Sequence, residues 1–299
     1  MTHVLTLIAN PASHPLEEPD IALAREALPH LASAPDWLSE GEACDIRFTP
    51  DVDEPDAALV DRIRAALGET PVDVVCQSVR KRRKRLLVAD MDSTLIGQEC
   101  IDEIADLLGI KAKVAAITER AMRGELAFES ALRERVALLK GLEETALESV
   151  FEERITLNEG AHTIARTMRA NGAHTVIVSG GFTTFTARVI EQAGFNAHQA
   201  NELEVRDGKL TGRVIEPILG QQAKLDALRR HRKSLGLADE ETLGLGDGAN
   251  DLAMIVEAGL GVAYHAKPVV AAEADARIDH GDLTAVLFAQ GYRRGEFVV

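Results

Sequence analysis

The stretch that most limits how this chain can fold is Leu86-Leu87-Val88-Ala89-Asp90-Met91-Asp92-Ser93-Thr94. Four consecutive apolar residues without polar alternation predict a strand covered on both faces, as in the middle of a parallel sheet. In open α/β sheets the ligand crevice lies beyond the carboxyl ends of the strands. Asp90 and Asp92 fall at such an end, and a straight strand would turn both side chains to one side. Two carboxylates in one crevice repel each other unless a cation lies between them or one keeps a proton. Both conditions suit phosphoryl chemistry, which needs offset charge, an anionic nucleophile and a proton donor. Alone, an Asp-x-Asp is more often an exposed acidic pair; here the buried approach and the motifs downstream shift the balance.

Two further strand ends carry polar motifs. Thr175–Val178 predicts a strand ending in Ser179-Gly180-Gly181, and Thr242–Leu245 one ending in Gly246-Asp247-Gly248-Ala249-Asn250-Asp251. Between them, Leu203–Val205 and Leu210–Val214 flank Asp207-Gly208, a hairpin signal. Lys224 lies near the start of a helix predicted over Gln222–Leu235. From about 97 to 155 only helical spacing occurs, in Ile96–Leu108, Lys113–Met122, Phe128–Leu139 and Leu147–Phe151. A helical insertion directly after the first motif strand reads as a lid over the crevice. Residues 1–79 predict a β-α-β-α-β unit, with strands at Val4–Ala9, Ala43–Thr49 and Val72–Gln77 and helices at Ile21–Leu31 and Asp56–Leu67. No convergent polar site is visible in it. The expected division is therefore 1–79, a small N-terminal unit; 80–96 with 156–299, the α/β core; and 97–155, the cap.

Arg80-Lys81-Arg82-Arg83-Lys84-Arg85 is a run of six basic residues. Nucleic-acid binding or an address signal is one reading, but a formal charge of −15 argues against a nucleic-acid partner. A solvated linker and a basic collar leading into the motif strand both remain open. Three scattered cysteines, Cys44, Cys76 and Cys100, fit reduced core thiols better than a disulfide scaffold or zinc site. No basic segment followed by an apolar one opens the chain, and the longest uncharged stretch contains Asn171-Gly172 and Gly180-Gly181, so neither a signal peptide nor a membrane span is expected. A cytoplasmic protein is the resulting expectation.

The order of the three strand-end motifs, with Lys224 between the last two, resembles the haloacid dehalogenase superfamily of aspartate-nucleophile phosphatases. Glu99 and the lid segment Phe128–Arg135 narrow the resemblance to its phosphoserine phosphatase family, over roughly residues 86 to 290. The resemblance implies an α/β fold: a doubly wound parallel sheet (HAD-like, Rossmann-type core) with an inserted helical cap, beside the small N-terminal α/β domain. It implies that Asp90 is the nucleophile, since a carboxylate is ionised at neutral pH and its acyl phosphate can be hydrolysed afterwards. Asp92 would be the acid and base, touching the metal through its backbone carbonyl. Asp90, Asp92 and Asp247 would hold Mg²⁺, a hard cation that favours oxygen ligands. Asp251 would hold a metal-bound water or orient Lys224, or simply complement a helix N-terminus. Asn250 would contact phosphate or act as an N-cap. Ser179 and the Gly180 N–H would hold phosphoryl oxygens, and Lys224 would pair with both phosphate and Asp90. Glu99 would bind the substrate amine, Arg135 its carboxylate, and Met122 and Phe128 would close an apolar wall. The implied substrate is phosphoserine; another small phosphorylated amine or alcohol, such as phosphohomoserine, is the alternative. A regulatory amino-acid-binding protein with a decayed core is a third reading, opposed by the intact aspartates. Some relatives carry an amino-acid-sensing, ACT-like domain at the N-terminus, so residues 1–79 are regulatory or structural. A monomer or homodimer is expected.

Overall fold

The chain is described by a computed structural model over residues 1–29, 32–51, 56–123 and 125–299, with the side chain of Met122 also left out. The N-terminal segment forms β1 (His3–Ala9), α1 (Glu18–Glu26), β2 (Asp36–Ser39), β3 (Ala43–Phe48), α2 (Asp56–Leu67) and β4 (Val72–Ser78). Its four strands lie in the order β2-β3-β1-β4, with every pair antiparallel. The sequence predicts only three of them. β2 is a four-residue edge strand with a register shift between Trp37 and Ser39, too short for a periodicity signal. α1 ends at Glu26, earlier than expected, and the predicted end at Leu31 lies outside the described residues. The apolar residues of β1, interrupted only by the buried Thr6 after Val4-Leu5, serve two cores. Leu5 and Leu7 pack against α1 and α2, whereas Ile8 faces the main core of the molecule.

The second sheet begins with β5 (Leu86–Ala89), followed by four helices: α3 (Cys100–Leu107), α4 (Lys111–Met122), α5 (Phe128–Ala137) and α6 (Thr145–Arg154). Then come α7 (Ala161–Ala170), β6 (His174–Phe182), α8 (Thr183–Ala193), β7 (Ala197–Arg206), β8 (Lys209–Ile215), α9 (Gln221–Ser234), β9 (Thr242–Gly246) and α10 (Leu252–Glu257). β10 (Gly261–Tyr264), α11 (Pro268–Ala271), β11 (Ala276–Ile278) and α12 (Ala285–Ala289) complete it. The strand order is β11-β10-β9-β5-β6-β7-β8, parallel except for the β7–β8 hairpin. β11 and α12, three and five residues long, are absent from the sequence reading for the same reason as β2.

β5 occupies the middle of this sheet, and its four residues are fully buried. Leu86 and Val88 face Leu228 of α9 and Met254 of α10, while Leu87 and Ala89 face Ile164 and Met168 of α7. Each fully buried leucine or valine contributes about 1.5–3 kcal/mol relative to exposure. At the β7–β8 turn both Asp207 and Gly208 have positive φ, the backbone that an Asp-Gly hairpin turn demands. This hairpin props the cap: Gly141 N–H donates to Leu210 O and Leu210 N–H to Leu142 O, each at 2.8 Å.

The basic run is only in part solvated: Arg80, Arg83 and Arg85 are exposed, whereas Arg82 and Lys84 are built into the structure, and none lines the crevice. Arg82 makes a bidentate pair with Asp45 on β3 and donates to the carbonyls of Phe288 and Ala289 at α12. Lys84 is 5 % exposed and spends its ammonium on the carbonyls of Lys81, Glu240 and Gly259. Arg83 pairs with Glu296 and stacks on Tyr292. Asp73 of β4 adds a reverse link, accepting N–H bonds from Asp279, His280 and Gly281 after β11. Arg82 and Asp73 therefore bolt the two sheets together.

Candidate active site

Beyond the carboxyl end of β5 the chain turns, and its ladder continues only as far as Asp90 N–H to Leu245 O, 2.9 Å. Asp90 Oδ1 accepts the Met91 N–H, and Oδ2 lies 2.6 Å from Lys224 Nζ. Lys224, in the first turn of α9, is 2 % exposed, and its second bond goes to Asp251 Oδ1 at 2.5 Å. Asp251 precedes α10 and accepts the N–H groups of Asp247 and Gly248 on Oδ2, so the Gly246-Asp247-Gly248 turn wraps around it. A Cβ on Gly246 would lie 2.5 Å from Asp251 Oδ2, which excludes any larger residue there. Thr94 Oγ1 donates to Asp247 Oδ1 at 3.0 Å, and Asn250 Nδ2 approaches Asp90 Oδ2 at 3.4 Å.

Asp92 looks the other way. Its Oδ1 accepts the Cys100 N–H at the start of α3, and its Oδ2 accepts Ser179 Oγ at 3.2 Å. Ser179 Oγ in turn accepts the Gly181 N–H, and a Cβ on Gly181 would approach Asp92 Oδ2 to 2.7 Å. The Ser-Gly-Gly arch is thus built against the Asp92 carboxylate as well as against the crevice. Glu99 Oε1 accepts Ser93 Oγ, whose residue holds φ +56°. Arg135 donates to Ala131 O and Thr118 Oγ1 within the cap.

A cavity of about 440 Å³ joins these groups. Asp90, Asp92, Ser179, Gly180, Asp247 and Asn250 line its sheet side, and Glu99, Phe128 and Arg135 its cap side. Lys224 sits beneath Asp90 rather than on the wall. The predicted Met122 closes α4, and its side chain lies outside the described residues. Three polar wall residues escape the sequence reading: Asp102, Thr118 and Lys267. Thr118 has only the spacing of an ordinary cap helix. Lys267 follows β10, a strand end like the other three, but reads as the residue before the Pro268 helix.

The electrostatics are those of a site short of positive charge. Burial, then the field of Asp251, holds the Asp90 carboxyl well above the usual carboxylate range against the pull of Lys224. Burial raises Asp92, with the bonds from Cys100 and Ser179 opposing. Burial and Asp251 raise Asp247. Burial disfavours the Lys224 ammonium, but Asp90 and Asp251 outweigh it and lift its pKa above the ordinary lysine value, so the amine stays charged. Glu99 opens onto the wet cavity, yet crowding by protein, then Asp92, pushes it up to about 7.

Carboxylate oxygens of Asp90, Asp247 and Asp251 lie within 4.8 Å of one another. Asp251 is fully buried under Lys224 and two backbone N–H groups, whereas Asp90 and Asp247 line the cavity. Hard oxygen donors without thiolate or imidazole, around excess negative charge, fit a divalent cation such as Mg²⁺.

Fold and site together define an aspartate-centred hydrolase, and the chain belongs to the haloacid dehalogenase-like hydrolase family, which its residues 87–255 match. Among named relatives it is similar to a phosphoserine phosphatase of Archaeoglobus fulgidus, with 42% identity across 82% of this chain and 72% of that protein. It also resembles the crystal structure of a probable phosphoserine phosphatase from Vibrio cholerae, with TM-score 0.79 and 32% identity over 99% of this chain and 88% of that one. A phospho-aspartyl intermediate analogue of a phosphoserine phosphatase is similar over 69% of this chain and 98% of its own, at 41% identity and TM-score 0.64.

Proposed function

We propose that this protein hydrolyses O-phosphoserine to serine and phosphate through an aspartyl-phosphate on Asp90. The observation that carries this reading is the two-sided cavity: a buried carboxylate paired with Lys224 on one wall, a carboxylate and a guanidinium on the other. Such a cavity matches a ligand with a phosphate at one end and an ammonium and carboxylate at the other.

One Asp90 oxygen attacks phosphorus in line while the bond from phosphorus to the seryl oxygen breaks. Asp92, whose burial favours its protonated form, gives a proton to that departing oxygen. Serine leaves, Asp92 takes a proton from the attacking water, and the acyl phosphate is hydrolysed to free phosphate. Lys224 holds Asp90 in place and balances charge as it builds on the phosphoryl oxygens. Ser179 and the Gly180 N–H bind those oxygens, with Asn250 beside them. Asp90, the Asp92 carbonyl and Asp247 would hold Mg²⁺, whose contribution when bound is to offset the charge of phosphate and carboxylates. Asp251 keeps Lys224 and the Asp247 turn in register. Glu99 takes the substrate ammonium, Arg135 its carboxylate, and Phe128 with Met122 the apolar wall. Residues 97–155 act as the lid, and 80–96 with 156–299 as the catalytic core; residues 1–79 are a docked unit with a structural or regulatory role. On this reading we place the protein in the cytoplasm, at the serine-forming step of serine biosynthesis.

The test is phosphate release from phosphoserine, phosphohomoserine and p-nitrophenyl phosphate, with Mg²⁺ and after chelation. Mg²⁺-dependent release with the highest kcat/KM for phosphoserine is expected. Preference for another ester, or full activity in chelator, would overturn the substrate or the metal assignment respectively.

A further inference from the structure

We infer that Asn201 is a positioning residue for phosphoryl transfer, an inference that rests on the proposed reaction but not on the identity of the substrate. β6 and β7 run in register up to Val178 opposite Gln199, and next pair at Phe182 opposite Asn201. Four steps along β6 therefore span two along β7, and the surplus residues bulge outward as the Ser179-Gly180-Gly181 arch. Bulges of this kind re-aim groups at the rims of sheets, but an arch of small residues needs a support beneath it.

Asn201 is that support. It is 2 % exposed. Its Nδ2 donates to Gly180 O at 2.9 Å and to Leu219 O at 3.1 Å, and its Oδ1 accepts the Leu219 N–H at 2.7 Å. One amide thus ties the phosphate-facing arch to the segment that enters α9, five residues before Lys224 of that helix. The two loops are far apart in sequence and share no strand. A leucine would fill the same space without the burden of a buried polar group, which costs about 1–3 kcal/mol wherever a bond is missed. What the amide adds is a fixed distance between two catalytic segments.

The cap is seated on that distance. Phe128, the first residue of α5, lies over both segments: a Cβ on Gly180 would come within 3.1 Å of its Cζ, and one on Gly220 within 3.3 Å of its Cδ1. The aromatic ring occupies the space that two glycines leave, above the residue that joins them. Asn201 accordingly sets the arch, the approach of Lys224 and the seat of the lid together.

The test uses the full chain with p-nitrophenyl phosphate and phosphoserine as substrates and orthovanadate as transition-state mimic. Asn201→Asp keeps the acceptor for Leu219 N–H and turns a carboxylate on two carbonyls; Asn201→Leu keeps the volume alone. In folded protein, judged by circular dichroism, both variants are expected to lose about tenfold or more in kcat, since small misplacements of reacting groups cost that much. Vanadate inhibition should weaken in parallel while KM changes less. Wild-type kcat and vanadate inhibition in a folded variant, whatever its melting temperature, would overturn the proposal. Should neither variant fold, Asn201→Ser decides: it removes the amide that joins the two segments without adding bulk between them. Reduced kcat with weaker vanadate inhibition supports the coupling, and unchanged values refute it. If the wild type cleaves p-nitrophenyl phosphate but not phosphoserine, the substrate assignment fails while the Asn201 comparison still stands.

Discussion

Replacing Lys224 by methionine separates charge from shape at the centre of the site. The side chain is 2 % exposed and bonds Asp90 and Asp251, which are themselves 5 % and 0 % exposed, so water cannot stand in for it. Three clustered carboxylates against one ammonium leave a formal −2 around Asp90, Asp247 and Asp251; the variant leaves −3. Removing one partner of a buried ion pair costs about 3–5 kcal/mol, because the remaining charge is stranded. Asp90 and Asp247 already lie above the ordinary carboxylate pKa, and losing the ammonium raises them further. A raised acid binds more protons folded than unfolded, so the deficit is largest at pH 8 and shrinks as pH falls through the folded pKa. Activity should fall at least 10²–10³-fold, about what one preorganised electrostatic partner supplies. Metal binding should move the other way. With a repelling cation gone, Mn²⁺ should bind about tenfold tighter or more at pH 8, since a divalent ion feels each unit charge twice over. Urea unfolding at two pH values, steady-state kinetics and Mn²⁺ titration calorimetry read the three effects. A folded variant with kcat within about tenfold of wild type, or with weaker Mn²⁺ binding, would refute the reasoning.

Asp90→Asn should retain the fold and abolish turnover; trapping of ³²P-phosphoenzyme from labelled substrate by the variant would remove Asp90 as nucleophile. Arg135→Ala should raise KM for phosphoserine by about 10²-fold, the weight of a charge-assisted bidentate contact, and leave p-nitrophenyl phosphate nearly unchanged; equal losses on both would count against carboxylate recognition. Glu99 is ionised above about 7 and neutral below it. Between pH 8 and 6, kcat/KM for phosphoserine should therefore drop about tenfold relative to p-nitrophenyl phosphate, a step that Glu99→Gln should lack. Arg82→Met strands Asp45 at the sheet junction and should lower stability by about 3–5 kcal/mol, with Asp45→Leu in the same chain restoring most of it; an unchanged urea midpoint for the single variant would show that the bolt carries no load.

The sheet side of the site was legible because its chemistry follows buried strands. Asp90, Ser179 and Asp247 each sit one step past an apolar run, where physics puts ligands in a parallel sheet. The cap side was not legible in that way: Glu99 and Arg135 have the spacing of ordinary helix-surface charge, and only the resemblance pointed to them. Lys267 obeys the strand-end rule yet hides before a proline that signals a helix start. Asn201 gives no local sign, since its partners, Gly180 and Leu219, are close only after β6, β7 and α9 have packed. The basic run illustrates the converse error. Six like charges in sequence look solvated, but each can find a different partner in three dimensions, and Arg82, Arg83 and Lys84 do.

Charge bookkeeping across the whole cavity explains why an acidic chain can take a dianionic ester. Asp90, Asp92, Glu99, Asp102 and Asp247 on the wall, with Asp251 beneath, face Lys224, Arg135 and Lys267. Six acids against three bases leave an excess of three negative charges, and in that state the site repels phosphate. A divalent cation cuts the excess to one and protonation of Asp92 brings the sum to zero, so each favours substrate entry. The positive groups are also unevenly spread. Lys224 is locked under Asp90, and Lys267 stands after β10 on the Asp247 side, where its own N–H reaches the Asp247 carbonyl. Arg135 is on the cap, where Glu99 and Asp102 also line the wall. Phosphate is thereby drawn to the sheet and the carboxylate of an amino acid to the lid. A substrate lacking either group forgoes one half of the field, which is how a site with so little positive charge can still orient what it binds.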